Sequence, residues 1–160
     1  MIPDLILRLA DADLWTRLNA ESALRALGSP GITLLCAAVA DPDELFERRW
    51  RAAMLLGEMA AAEAVPALMT ARHDPQLDLR QGAVWALGCI RNESAFAALL
   101  EIFSDPQEEE QLRFVTAAAL ANIDVQRTIP LLRAALQGSD AQRRAAHAML
   151  ATLAERGGSL

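Results

Sequence analysis

The sequence predicts an all-α protein, a right-handed α-solenoid of about five stacked helical hairpins. Three observations carry that expectation. First, one pattern of small and apolar residues recurs at intervals of about 30 residues, as stacked repeats do. Second, hydrophobic residues make up 53% of the chain but are mostly Ala and Leu, with 4% aromatics and no Tyr, a composition that suits helices better than sheets. Third, Asp-Pro pairs punctuate the apolar runs and provide turn and helix-start chemistry.

The pattern is clearest from Asp74 to Ile90. Aligned on Gly88, it recurs at Gly28, Gly57, Ala121 and Ala151, each preceded by a leucine: Leu27, Leu56, Leu87, Leu120 or Leu150. A small residue lies five positions earlier (Ala23, Ala52, Ala83, Thr116, Ala146), and Met59, Ile90, Ile123 and Leu153 lie two positions later, with Pro30 as the exception. These offsets share one helical face, which is expected to meet the core.

Each second helix follows a turn. Asp41-Pro42, Asp74-Pro75 and Asp105-Pro106 read as an N-cap followed by a first helical position, and Asp11 and Asp140 take the same place without proline. Upstream lie shorter apolar segments, expected as first helices: Ile2 to Ala10, Ile32 to Ala40, Val65 to His73, Phe96 to Ser104 and Ile129 to Gln137. Three begin with a proline pair, Ile2-Pro3, Val65-Pro66 and Ile129-Pro130, acceptable in a first turn. The expected repeats are 2–28, 31–59, 62–90, 93–123 and 125–156, within one domain of 1–160. The frame holds whole pairs, so the chain reads as complete, with Arg156 to Leu160 as a helix stop and a frayed end.

An Asp-Pro turn, the Arg80 to Ile90 segment and the Ala64 to Leu68 segment together resemble HEAT repeats of the phycobilisome-lyase type, over essentially the whole chain. The resemblance implies that the second helices line a concave surface where partners bind. Function does not follow from such a fold alone.

Eight residues before the aligned positions lie Arg49, Arg80, Arg113 and Arg143. That offset faces the core, so each guanidinium needs a partner. The turn residues Asp41, Asp74, Asp105 and Asp140, or turn carbonyls, are the nearest candidates. The first repeat departs: Ala20 takes the offset and Arg17 lies one turn earlier.

Opposite the core stripe, the wheel places Glu21, Arg25, Glu47, Trp50, Met54, Glu58, Asp78, Gln81, Trp85, Cys89, Gln111, Phe114, Asn122, Arg144 and Thr152. The expected partner-binding residues are Glu47, Trp50, Met54, Asp78, Gln81, Trp85, Gln111 and Phe114. Aromatics with polar rims mark interaction sites; lateral packing of the same rings between neighbouring helices is the competing reading. Trp15 is expected to cover the end of the stack.

The chemistry of catalysis is sparse. His73 and His147 have no Cys or His at metal-ligand spacing, and His147 is expected in the core or at an interface. Cys36 and Cys89 form no disulfide framework and lack an activating histidine. Glu108-Glu109-Glu110 reads as a solvated first helical turn. HEAT-like di-iron enzymes use His-Glu pairs, which this chain lacks. HEAT-like alkylpurine DNA glycosylases use groove Trp and Asp residues, as Trp50, Trp85 and Asp78 could be, but they need a basic groove. The net charge of -6 opposes that, and all 15 basic residues are Arg. No catalytic, cofactor-binding or metal residues are therefore expected. The expectation is a cytoplasmic, non-enzymatic scaffold, monomeric or weakly self-associating, that binds a protein partner rather than nucleic acid or membrane. A role as a phycobilin lyase-like or chaperone-like factor is the alternative that the resemblance implies.

Overall fold

The computed structural model describes residues 4–157. Ten α-helices lie among them, in five successive pairs: α1 (Asp4–Arg8) with α2 (Leu14–Ala26), α3 (Ser29–Ala40) with α4 (Phe46–Glu58), α5 (Val65–Ala71) with α6 (Leu77–Ile90), α7 (Phe96–Ser104) with α8 (Glu110–Ile123), and α9 (Val125–Ala135) with α10 (Asp140–Gly157). The described residues form no strand. The fold is an all-α solenoid. Ile2-Pro3 and the last three residues of the tail fall outside the described residues.

Two layers enclose the core. The second helices α4, α6, α8 and α10 pack neighbour to neighbour, and each first helix lies on its partner. Leucines from both layers meet between them. Leu9, Leu24, Leu35, Leu56, Leu68, Leu87, Leu99, Leu120 and Leu132 are all fully buried. Each helix is too short to bury its own stripe, so the pairs stabilise one another by stacking.

The turns correct one expectation. Asp41, Asp74 and Asp105 do not cap the second helices, which begin three to five residues later, at Phe46, Leu77 and Glu110. Instead each carboxylate accepts a hydrogen bond from the backbone N–H two residues on: Asp43 at 2.9 Å, Gln76 at 3.0 Å and Gln107 at 2.8 Å. These are Asx turns, in which the side chain stands in for a backbone acceptor. Asp11 does the same for Asp13 at 2.9 Å. The cap of α2 is Asp13, which accepts from the Thr16 N–H at 2.7 Å. At α10 a capping box forms: Ser139 Oγ accepts from the Gln142 N–H, and Gln142 Oε1 accepts from the Ser139 N–H. Asp140 is the first residue of that helix.

Short 3-10 turns, Ala62–Ala64 and Glu93–Ala95, lead into α5 and α7. The fifth pair replaces this turn with α-helix, capped by Asp124 on the Arg127 N–H at 3.0 Å. Pro130, expected in a first turn, therefore lies inside α9.

The alignment of the first repeat on Gly28 is also corrected. Counted from the true helix starts, Arg17, Arg49, Arg80, Arg113 and Arg143 each occupy the fourth position of a second helix. On that register Ala20 and Leu24 match Ala52 and Leu56, and all four are buried. Leu27 and Ala23 are only half-buried. Gly28 serves a turn, with φ +62° and open space around it, whereas Gly57 and Gly88 serve close packing.

That packing sets the spacing of the second helices. A methyl group on Gly57 would sit 2.8 Å from Ala86 Cα, and one on Gly88 would sit 2.7 Å from Ala119 Cα. Each seam thus joins the residue eight beyond one ladder arginine to the residue six beyond the next. The pairs are Gly57–Ala86 at α4/α6 and Gly88–Ala119 at α6/α8. The two glycine seams, α4/α6 and α6/α8, are where the second helices pack most extensively. The Gly88→Ala variant is expected to lose about 1–2 kcal/mol in urea unfolding, because overpacking against backbone outweighs the gain in helix propensity. Equal or greater stability would mean the seam opens freely.

Candidate functional site

The arginine ladder is structural. Arg49 is 9% exposed and donates from Nε and Nη2 to the Val39 carbonyl at 3.2 and 3.1 Å. It also pairs with Asp74 of the next turn at 2.8 Å. Arg80 donates to the Asp74 carbonyl at 3.3 Å and pairs with Glu108 at 3.4 Å. Arg113 is 1% exposed and meets no carboxylate; it donates to the carbonyls of Phe103, Asp105 (2.7 Å) and Glu108 (3.0 Å). Arg17 donates to the carbonyls of Asp11 and Ala12 at 2.6 and 3.1 Å. The guanidinium satisfies carbonyls at the end of a first helix or in the turn that follows, where no intrahelical donor remains. Arg143 departs from the expected core-facing place. It is exposed and pairs with Asp140, since no further helix covers α10 among the described residues.

The second-helix face holds the expected binding residues. Glu47, Asp78 and Gln111 are exposed; Trp50, Met54, Gln81, Trp85 and Phe114 are half-buried. The two tryptophans interlock across the α4/α6 seam, each over a glycine of the other helix. A methyl on Gly82 would lie 3.2 Å from the Trp50 ring, and one on Gly57 would lie 2.8 Å from the Trp85 ring. Met54 Sδ leans on the same Gly82 site, at 3.9 Å. Lateral packing and surface display therefore hold together: each ring seals a seam with part of its surface and lines a groove with the rest.

Two grooves flank this interlock. One, of about 410 Å3, is lined by Phe46, Glu47, Trp50, Asp78 and Gln81. The other, of about 330 Å3, is lined by Trp85, Phe114, Asn122 and Thr152, with Met149 and Arg156 of α10. A smaller wedge of about 140 Å3 opens between α2 and α4, beside Glu21, Met54 and Glu58. Gln111 lines none of the three. Phe46 is a further lining residue that the sequence reading did not single out; its i, i+4 relation to Trp50 was the available signal.

Charges on this face are mostly paired. Arg51 bridges Glu47 (3.2 Å) and Glu21 (3.8 Å), with its guanidinium 5.9 Å from the Trp50 ring centre. Arg25 pairs with Glu58, and Arg144 with Glu110. The Arg144 hydrogen bond lowers the pKa of Glu110. Asp78 has no arginine partner among the described residues.

Other candidates are plain. Burial raises both thiol pKa values, with Glu63 adding to the effect at Cys36; at Cys89, Arg91 opposes it and Glu58 adds to it. Neither thiol is thus favoured as a thiolate. His147 is exposed on α10 and so lies outside the core, one of the two places expected for it. Among the described residues no three His, Cys, Asp or Glu side chains converge as a metal ion requires. No described helix is long and apolar enough to cross a membrane. Trp15 covers nothing: it is 71% exposed, alongside Leu7, Leu14, Leu18 and Leu45 in the first pair and the next turn.

Five helical pairs with edge-to-edge second helices define an α-solenoid repeat protein. A family model described as HEAT repeats matches residues 35–113. Among solved structures, it resembles the complex of CpcE and CpcF of phycocyanin lyase from Nostoc sp. PCC7120, with 23% identity and a TM-score of 0.62 over 96% of this chain and 65% of that one. It also resembles human deoxyhypusine hydroxylase in complex with glycerol, with 20% identity and a TM-score of 0.63 over 93% of this chain and 60% of that one. The chain thus spans less than two thirds of either protein, and at these identities the likeness is one of fold. No curated protein matches the chain.

Proposed function

We propose that the chain is a non-enzymatic scaffold that binds a protein partner on its second-helix face, through Glu47, Trp50, Met54, Asp78, Gln81, Trp85, Gln111 and Phe114. The observation that carries this reading is the pair of grooves beside the interlocked tryptophans. A half-buried aromatic floor with exposed polar rims offers apolar contact area at small entropic cost, as binding hot spots do.

The grooves' rims test it better than their floor does. Trp50→Ala and Trp85→Ala each remove part of a packed seam and are expected to cost about 1.5–2.5 kcal/mol of stability. That loss would confound a binding assay. A Gln81→Arg/Asn122→Arg double variant, one residue from each groove, should keep its melting temperature, since neither side chain is buried and surface substitutions usually shift stability by about 0.5 kcal/mol or less. Capture from native lysate is expected to retrieve a protein with the parent chain and with an Ala37→Arg/Ala97→Arg control on the first helices, but not with the rim variant. Identical capture by all three would end the proposal.

The fold likeness to the phycocyanin lyase complex supports a second reading, a factor acting on bilins or phycobiliproteins. Its test is an absorption scan of the chain mixed with a bilin and an apo-phycobiliprotein. Failure to form a chromophore-linked band removes it.

A further inference from the structure

We infer that the groove between the starts of α4 and α6 takes a cationic side chain, an arginine or lysine presented by an extended segment of the partner. The inference rests on the binding reading above and names the chemistry of the ligand. Three features of the site lead to it.

The groove's walls are one aromatic pair and one acidic pair. Phe46 and Trp50 belong to α4, one turn apart, and the Trp50 ring is held by its seat on Gly82. Glu47 and Asp78 are each the second residue of a helix, facing the same space, and Gln81 lies one turn past Asp78. A guanidinium or ammonium placed there meets the aromatic side chains of Phe46 and Trp50 and the uncompensated carboxylate of Asp78, while Arg51, 5.9 Å from the Trp50 ring centre, already serves Glu47. Gln81 can both donate to and accept from a peptide backbone.

The charges left over have the right sign. Arg51 already neutralises Glu47, but Asp78 is uncompensated by any arginine among the described residues. Both carboxylates are favoured where they stand by the helix dipole, so the site holds its negative charge without a ligand. An anionic or phosphate-bearing group would face Asp78, Glu47 and a chain of net charge -6. A basic partner is both steered and seated by that field.

The volume also fits. A groove of about 410 Å3 lies within the range of sites that hold one small ligand or side chain, about 300–1,000 Å3.

The test is selection of random linear peptides displayed on phage against the full chain, repeated with a Glu47→Gln/Asp78→Asn variant. The parent is expected to enrich peptides with Arg or Lys beside apolar residues, and the variant is expected to lose that enrichment. A selected peptide, synthesised and titrated by tryptophan fluorescence, should bind Asp78→Asn about threefold more weakly, as for an exposed ion pair. Replacing its basic residue with Gln should weaken binding about fivefold, as lost cation–π and ionic contacts together predict. Peptides blocked by Gln81→Arg but not enriched in Arg or Lys would overturn the cationic inference and leave the second-helix face as a binding surface. If every peptide survives Gln81→Arg, or none is recovered, the binding reading and this inference both fall.

Discussion

Replacing Arg113 with alanine is expected to destabilise the chain by about 3–5 kcal/mol, because it removes three hydrogen bonds from a charged donor, each worth about 1.5–3 kcal/mol before water restores part of the loss. The side chain is 1% exposed. It supplies donors to the carbonyls of Phe103, Asp105 and Glu108, of which Asp105 also accepts from the Glu108 N–H at 3.2 Å. Alanine would strand the buried Phe103 carbonyl, deprive those of Asp105 and Glu108 of a charged donor, and open a cavity beneath α8. Arg113→Lys keeps the charge but offers one nitrogen in place of a fork, and should lose about 1–3 kcal/mol. Arg143 is the internal control. It occupies the same fourth position of its helix, but its side chain is 50% exposed, and Arg143→Ala should cost about 1 kcal/mol or less. Urea unfolding followed by circular dichroism measures all three. Equal losses for Arg113→Ala and Arg143→Ala would mean that burial does not set the ladder's worth.

That contrast explains what the sequence made legible and what it hid. A repeat pattern reports what each unit has in common, so the paired helices, the leucine stripe and the ladder arginines could be read from periodicity. It reports poorly on the ends, where a neighbour is missing. Arg143 and His147 match interior positions in sequence, yet are exposed on α10 because no further helix covers them among the described residues. Trp15 was expected to cover an end and is instead exposed.

The turns were misread for a local reason. An aspartate before proline satisfies both an N-cap pattern and an Asx turn, and the two differ only in where the helix then starts. The first repeat was misregistered because Gly28 looked like Gly57. One glycine serves a positive φ and the other a close approach, and a sequence alone prints them alike. Had the alignment been anchored on Arg17, Arg25 would have fallen at the seam position that Gly57 and Gly88 hold. At the candidate site the aromatic row was readable from helical periodicity. That both rings seal seams was not, because it depends on Gly82 and Gly57 in the facing helices.

Asp74 joins two of these jobs, and its loss is the second large effect expected. Its carboxylate closes the Asx turn on the Gln76 N–H at 3.0 Å and pairs with Arg49 of the preceding repeat at 2.8 Å. Both side chains of that pair are nearly buried, at 11% and 8% exposure. Asp74→Ala should therefore cost about 3 kcal/mol, since it strands a buried guanidinium and loosens the turn. Asp74→Asn retains the turn acceptor and should cost about 2 kcal/mol, chiefly the charge. Asp41 and Asp105 close equivalent turns but are exposed, and alanine there should cost about 1 kcal/mol or less. A double-mutant cycle of Asp74→Ala with Arg49→Ala should return a coupling of about 1–3 kcal/mol, the range for residues in one network. The pair ties the second helix of one repeat to the turn of the next, so this coupling measures stacking rather than the stability of either repeat alone. A coupling near zero, with Asp74→Ala no worse than Asp41→Ala, would assign Asp74 to its own turn and leave the α4/α6 interface to the glycine seam.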